Sequence, residues 1–200
     1  MDIKKQIEDY ISGLKVVFSE LPVKNIIEFI KLLISAYKNK KQIFTMGNGG
    51  YGSIASHFIN DIAKHTVVSD EKNKVMENIP RIKAICLCDS ISSITAWSND
   101  VGFEFCFSEQ LKNWVKEGDI VIGISGSGNS ENILNAFKIA REFGAISVGL
   151  LGKNGGQAKE IVNLSIIIPS NVDLFIEDIH ASILHLSMNI LRNYIQKENS

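Results

Sequence analysis

The chain has 200 residues, of which 45% are hydrophobic and 22% are charged, and this is the composition of a globular protein with a substantial core. Its formal net charge of −1 provides no basic surface, so nucleic acid and anionic membranes are excluded as expected partners. The N-terminal stretch is charged and amphipathic, and no apolar run reaches the length of a membrane span, so we predict a cytoplasmic protein.

Two amphipathic helices are predicted before any strand. Apolar residues recur at helical spacing over residues 3–18, and a second helix begins near Pro22, a candidate for its first residue. The basic run at residues 38–41 ends this helix, where positive charge suits the helix dipole. Residues 1–40 are therefore interpreted as helical additions to a sheet domain. Their wide apolar faces indicate packing against a surface beyond this chain's own sheet.

Five short apolar segments rich in β-branched residues are predicted to be buried parallel strands. They lie at residues 42–46, 83–88, 119–124, 145–151 and 164–168. Helical segments alternate with them, which is typical of the α/β class with a doubly wound five-stranded parallel sheet, and ligands are expected at the carboxyl ends of its strands. Residues 41–200 are assigned to this sheet and a terminal helix, so residues 1–200 are predicted to form one domain.

The three cysteines give no sign of a disulfide framework or a metal site, because their number is odd and their spacing is not that of metal ligands. They are Cys86, Cys88 and Cys106. Cys86 and Cys88 are two residues apart, so they are expected on one face of the second strand as small hydrophobic residues.

Two segments outside the strands carry expectations of their own. Residues 65–80 are polar and aperiodic and have the length of a functional loop or lid, although a mobile surface loop would look the same. Residues 172–194 are predicted to form a long helix that is apolar nearly all round, so this helix is expected to be buried between subunits.

The segment Ser125-Gly126-Ser127-Gly128-Asn129-Ser130 joins the central strand to the start of a helix. This arrangement binds phosphate, because free backbone amides and the helix dipole favour an anion there. A tight turn with Ser130 as a simple N-cap is the alternative. One cap needs one serine, whereas this loop has three, so an anion site is favoured. A second unit of strand, glycine loop and helix, at residues 42–64, precedes it.

The serine loop does not match the common nucleotide-binding fingerprints. Asn129 stands where the phosphate-binding loop of nucleotide triphosphatases needs lysine, and Glu131 stands where the dinucleotide pattern needs its third glycine. Neither a nucleoside triphosphate nor a nicotinamide dinucleotide is therefore favoured. A smaller phosphorylated ligand fits the loop better.

Two predicted helices carry residues that bind metals. His57 and Asp61 are four apart, and Glu177 and His185 are eight apart, so each pair lies on roughly one side of its helix. An acid and a histidine inside an apolar helix are costly unless they are paired or liganded. Together these residues could form a four-ligand site for a divalent metal such as Zn²⁺. A surface pair on one helix and a buried polar pair on the other would explain the spacing equally.

Motifs in chain order resemble those of the sugar isomerase (SIS) family, specifically the phosphoheptose isomerases, over about residues 40–190. The resemblance is carried by Gly47-Asn48-Gly49-Gly50, His57-Phe58, Asn99-Asp100-x-Gly102-Phe103, Gly118-Asp119 through Ser130, Gly152-Lys153-x-Gly155-Gly156, and Ile179-His180 with His185. It implies the isomerisation of sedoheptulose 7-phosphate to glycero-manno-heptose 7-phosphate. It also implies a cytoplasmic homotetramer with a bound zinc and with active sites between subunits.

The resemblance also implies a role for each matching position. The expected substrate contacts are Asn48, Gly49, Gly50, Asp61, Asn99, Asp100 and Glu177, with the phosphate held by Ser125, Gly126, Ser127 and Ser130. The expected metal positions are His57, Asp61, Glu177 and His185. Asp61 and His185 are the candidates for acid–base catalysis.

The chain departs from the family pattern at several of these positions. It has Tyr51 where the family usually has Ser, Ile54 for Asp, Asp61 for Glu, Gly126 for Thr, Phe175 for Arg and Glu177 for Gln. The altered Tyr51, Asp61 and Phe175 favour a rival interpretation, a non-catalytic regulator on the same fold that binds a phosphosugar or a protein, as the replication-initiator-associating relatives do. The retained His57 and His185 favour the isomerase.

Overall fold

The computed structural model describes residues 1–69 and 74–199. In this part of the chain the sheet has five parallel strands in the order β2-β1-β3-β4-β5. The strands are β1 Gln42–Gly47, β2 Lys83–Cys86, β3 Ile120–Ser125, β4 Ile146–Leu151 and β5 Leu164–Ile167. The predicted fold class is confirmed.

Helices cover both faces of the sheet. They are α1 Ile3–Ser19, α2 Val23–Lys38, α3 Gly50–His65, α4 Ile91–Asp100, α5 Ser108–Lys112, α6 Glu131–Glu142, α7 Ala158–Ile161 and α8 Asp173–Glu198, with a 3₁₀ turn at Phe103–Phe105. No helix in the described ranges has both the length and the apolar character needed to cross a membrane.

The strand order reverses direction between β1 and β3, which are hydrogen-bonded neighbours. Each of these strands runs directly into a loop and a helix, β1 into α3 and β3 into α6. Because parallel strands end at the same edge, the two loops lie side by side at the topological switch point, where open α/β sheets bind ligands.

Alternation along the strands divides the core into two halves. In β3, Ile120 and Ile122 face the side covered by α2, α3 and α8, whereas Val121 faces the side covered by α5 and α6. Both faces of the strand are therefore buried, which explains why its sequence is a continuous apolar run rather than an alternating one.

The structure corrects the expectation for α2. Its Phe29 and Leu33 are fully buried in the core on one face of the chain's own sheet, so α2 is part of the domain rather than an addition to it. Pro22 is the N-cap of α2 and not its first residue. In contrast α1 keeps Ile3 and Ile7 more than half exposed, so its apolar face still needs a partner.

Some predicted boundaries were wrong. Strand β2 ends at Cys86, and Cys88 lies in the following turn, where its thiol donates to the carbonyl of Gly47 at 3.2 Å, so the two cysteines do not share a strand face. Between α4 and β3 the chain forms only the 3₁₀ turn and the short α5.

Of the polar segment at residues 65–80, the structure describes residues 65–69 and 74–80. This described part begins with the last residue of α3 and is otherwise outside helices and strands, apart from an antiparallel bridge between Val68 and Val75. The centre of this predicted loop or lid, residues 70–73, lies outside the described residues.

Helix α8 is buried on one side only within a single chain. Ile179, Ile183 and Leu191 are in the core, whereas the opposite side exposes Leu186 and Ile190. The expected burial of this helix between subunits therefore stays a prediction, since a single chain covers only one of its sides. Packing against a partner surface would bury these exposed apolar residues.

Candidate functional site

The serine loop, residues 125–130, runs from the end of β3 to the start of α6. Its turn is held internally, because the amide of Gly128 donates to the Ser125 hydroxyl and the amide of Asn129 donates to the Ser127 hydroxyl, both at 3.1 Å. Gly128 has φ +65°, and a Cβ there would collide with the carbonyl of Gly155. The loop is therefore packed tightly onto the turn that follows β4, and this packing fixes its shape.

Ser130 occupies the N-cap position of α6, but its side chain makes no capping hydrogen bond. Its hydroxyl lies 3.4 Å from the Ser125 hydroxyl instead. The amides of Ser130, Glu131 and Asn132 have no acceptor among the residues that the structure describes. The interpretation of Ser130 as a simple cap is therefore wrong, and the loop presents free donors at a helix N-terminus, as an anion site requires.

The glycine loop after β1 is joined to α6 by an amide pair. Asn48 donates to Asn132 at 3.0 Å, and Asn132 donates back to Asn48 at 2.8 Å. Asn132, which is buried at the start of α6, was not among the residues predicted from the sequence. The available signal was an asparagine two residues after Ser130, in the first turn of the helix that follows the serine loop. The pair fixes the position of Asn48 beside the first turn of α6.

Three metal-type side chains converge where α8 packs on α3. Asp61 Oδ2 lies 3.1 Å from His57 Nε2 and 3.8 Å from His185 Nε2, and the two histidine nitrogens are 3.3 Å apart. Within 4.8 Å of one another, these atoms could hold a metal ion. Two imidazoles and one carboxylate suit Zn²⁺ or a similar divalent cation, and such sites with three protein ligands are typically catalytic.

The three groups differ in their exposure. The Asp61 side chain is 9% exposed, whereas those of His57 and His185 are 59% and 55% exposed. The carboxylate therefore sits at the bottom of the group, and the imidazoles form its open side, where substrate or a neighbouring subunit could reach them.

Glu177, the fourth predicted metal position, does not join this group. Its carboxylate lies against Gly50, where a Cβ would collide with it. It nevertheless lines the same cavity of about 360 Å³ as His57 and His185. The four-ligand arrangement expected from the sequence is therefore a group of three, with Glu177 further along the wall.

A larger cavity of about 640 Å³ adjoins the first at the carboxyl edge of β1. Its lining includes Asn48, Gly49, Ser53 and His57, and the last two also line the smaller cavity. Asn48 and Gly49 thus line the larger cavity together with His57, and Gly50 lines the smaller cavity together with His57 and His185.

Asn99 and Asp100 are not brought into these cavities within a single chain. They lie at the end of α4, exposed, with Asn99 donating to the Asp100 carboxylate at 2.7 Å. Asp100 lines a separate surface cleft with Ser92 and Trp97. Within one chain, these two predicted sugar contacts therefore lie outside both cavities.

His65 is a neighbour of the group that the sequence reasoning missed. Its Nε2 lies 3.5 Å from Asp61 Oδ1, so the Asp61 carboxylate has a histidine at each oxygen. Extending the four-residue spacing of His57 and Asp61 by one more turn along α3 would have found it.

His180 connects the end of β4 to the ring of Tyr51. It is fully buried, and its Nε2 is 3.1 Å from the carbonyl of Leu151, so this nitrogen carries the proton. Its ring packs edge-on against Tyr51, with centroids 5.7 Å apart. Burial lowers the pKa of His180 from 6.5 to about 4, so the ring is neutral at physiological pH.

We expect the free energy of unfolding to fall as the pH is lowered from 6.5 towards 4. The unfolded chain binds a proton at His180 below pH 6.5, whereas the folded chain resists it down to pH 4. The stabilisation is complete above pH 6.5, and up to about 3 kcal/mol is lost by pH 4. Denaturant unfolding at several pH values measures this, and His180→Gln should flatten the dependence. An equally steep dependence in the variant would contradict the assignment.

The chain is similar to known proteins in both sequence and fold. The SIS domain family model matches residues 8–152. The phosphoheptose isomerase of Trichlorobacter lovleyi is 35% identical over 189 residues, which are 94% of this chain and 91% of that protein. The phosphoheptose isomerase of Nitratiruptor is 38% identical over 160 residues, which are 80% of this chain and 81% of that one.

A solved structure agrees with these sequence relatives. The structure of a phosphoheptose isomerase from Francisella tularensis superimposes with a TM-score of 0.85 at 28% identity, covering 96% of this chain and 100% of that one. The chain therefore belongs to the SIS domain family and, within it, to the phosphoheptose isomerases.

Proposed function

We propose that this protein is an aldose–ketose isomerase that converts sedoheptulose 7-phosphate to glycero-manno-heptose 7-phosphate. The observation that carries the proposal is the convergence of His57, Asp61 and His185 at the edge of cavities that begin at the glycine loop. The serine loop follows the neighbouring strand, so a phosphate and a reacting carbon of one extended sugar could be held at the same edge of the sheet.

The reaction moves a proton between two adjacent carbons. A base removes the proton from the carbon that bears the hydroxyl, and an enediolate forms. The hydroxyl proton is transferred to the former carbonyl oxygen, and the carbon-bound proton is returned to the former carbonyl carbon. Asp61 and His185 are the groups proposed for these transfers. Although Asp61 is one methylene shorter than the usual glutamate, its Oδ2 already lies 3.1 Å from His57. The shorter side chain therefore does not keep the carboxylate out of the group.

A divalent metal is part of the proposal, with His57, Asp61 and His185 as its protein ligands. When bound, such an ion would polarise the substrate's carbonyl and hydroxyl oxygens and favour the enediolate. His57 and His185 would each offer a ring nitrogen to it, and the nearly buried Asp61 would keep their rings oriented. Glu177 is proposed to contact the sugar, because it lines the same cavity without joining the ligand group.

Zinc as the metal, a homotetramer as the assembly and the cytoplasm as the compartment belong to the same proposal. Each of these comes from the resemblance to the family. We also propose that residues 1–200 act as one domain, since α2 and α8 complete the core on one face of the sheet.

The direct test is incubation of the purified protein with sedoheptulose 7-phosphate, with and without added zinc, followed by analysis of the products. Formation of the heptose 7-phosphate supports the proposal. Binding of the sugar phosphate with no product under either condition would favour a regulator instead.

We expect the double variant Ser127→Ala with Ser130→Ala to bind the sugar phosphate about tenfold to a hundredfold more weakly, because a hydrogen bond to a charged group contributes roughly 1.5–3 kcal/mol. The fold should persist, since neither hydroxyl caps α6. Isothermal calorimetry measures the affinity. Ser92→Ala, which removes an exposed hydroxyl on α4, is the matched control. Unchanged affinity in the double variant would remove the serine loop from the site.

A further inference from the structure

Tyr51 and Gly126 fit each other as a pair. Tyr51 is the second residue of α3, and its hydroxyl lies over the backbone of Gly126 in the serine loop. A Cβ at Gly126 would collide with this hydroxyl and would lie only 3.0 Å from the Cζ of the ring. The phenol therefore occupies the space that a side chain at position 126 would need.

The ring of Tyr51 is held from below. It packs edge-on against His180, whose own ring is fully buried and bonded to the carbonyl of Leu151. A ring supported in this way cannot easily turn aside, so its hydroxyl is directed at the serine loop without much entropic cost on ligand binding.

The Tyr51 hydroxyl is an unused donor. No hydrogen bond joins it to any residue within 1–69 or 74–199. Burial, with smaller contributions from Asp173 and Glu177, raises the pKa of Tyr51 to about 12, so the phenol keeps its proton at physiological pH. Asp173 is itself paired with Lys153 at 2.9 Å, which offsets part of the negative charge near the loop.

We propose that the Tyr51 hydroxyl donates to the phosphate of the bound sugar and supplies the side-chain donor that Gly126 cannot. The inference rests on the proposed function, because it assigns a further residue to the same phosphate site. The proposal also explains why residue 126 is glycine, since only a residue without a Cβ leaves room for the phenol. The ligand class is a phosphate monoester, and the neighbouring donors are the free amides at the start of α6.

Tyr51→Phe tests the proposal with the least disturbance, because it removes the hydroxyl and keeps the ring on His180. We expect the dissociation constants for inorganic phosphate and for sedoheptulose 7-phosphate, measured by calorimetry, to rise about tenfold or more. The unfolding temperature should be unchanged. Tyr37→Phe, on α2, is the matched control. Wild-type affinity in Tyr51→Phe would overturn the proposal.

A second set of variants tests the pairing of the two positions. Gly126→Ser alone should weaken phosphate binding, because the new side chain meets the phenol. Tyr51→Ser alone should also weaken it, because the shorter side chain cannot reach the loop. The double variant Tyr51→Ser with Gly126→Ser should recover most of the affinity, while Tyr51→Ser with Gly126→Ala should not. If the loss of phosphate affinity in the serine double variant equals the sum of the losses in the two single variants, positions 51 and 126 do not act as a pair.

The outcomes separate this inference from the proposed function. If Ser127→Ala weakens phosphate binding and Tyr51→Phe does not, the inference is wrong and the phosphate site stands. If Tyr51→Phe weakens phosphate binding but the wild-type protein forms no heptose phosphate, the inference stands without the isomerase. Wild-type protein that binds neither phosphate nor sugar phosphate would overturn both.

Discussion

His185→Ala is expected to reduce isomerase turnover by about a thousandfold or more while the protein stays folded. The substitution removes a proposed acid–base group, which alone is worth about 10² to 10⁴ in rate. It also removes one of the three groups that converge between α3 and α8. Folding should persist because the His185 side chain is 55% exposed and fills no core space.

Turnover assays on the purified variant measure the loss of activity, elemental analysis measures the loss of bound metal, and circular dichroism checks the fold. Asn189→Ala, one turn further along α8 and also exposed, is the matched control and should keep both metal and activity. Turnover in His185→Ala close to that of the wild type would contradict the proposed site, whatever the metal content.

The double variant Leu186→Glu with Ile190→Glu is expected to convert a wild-type oligomer into monomers and to abolish most of the activity. Both side chains are exposed on α8 although they are large and apolar, and Leu186 directly follows His185. Carboxylates at these positions would have to be buried unpaired in a subunit interface, which costs far more than such contacts contribute. The activity should fall with the assembly, because the half-exposed histidines would lose the neighbouring subunit that is proposed to cover them.

Light scattering of both proteins at micromolar concentration measures the change. Ile91→Glu serves as the control, since it places the same charge at an exposed isoleucine on α4. A wild-type protein that is already monomeric would contradict the subunit-interface site. A double variant that remains oligomeric would show instead that a different face, such as that of α1, forms the contact.

The sequence by itself determined the features that depend on neighbouring residues. Continuous apolar runs predicted the strands, because a parallel strand is covered on both faces. The four-residue spacing placed His57 and Asp61 together on α3, because helical geometry fixes that distance wherever the helix lies. The small residues at 125–130 likewise predicted the loop at the end of β3, because that pattern also lies within a few consecutive residues.

Only the tertiary structure decided how the helices face each other. The rotation of α8 against α3 follows from packing over the core, and it brings His185 to Asp61 while leaving Glu177 against Gly50. Packing likewise placed the apolar face of α2 on the chain's own sheet, because amphipathicity specifies that a face is buried but not what buries it. The fit of Tyr51 over Gly126 joins residues 75 positions apart through space alone, so no local pattern in the sequence could have predicted it.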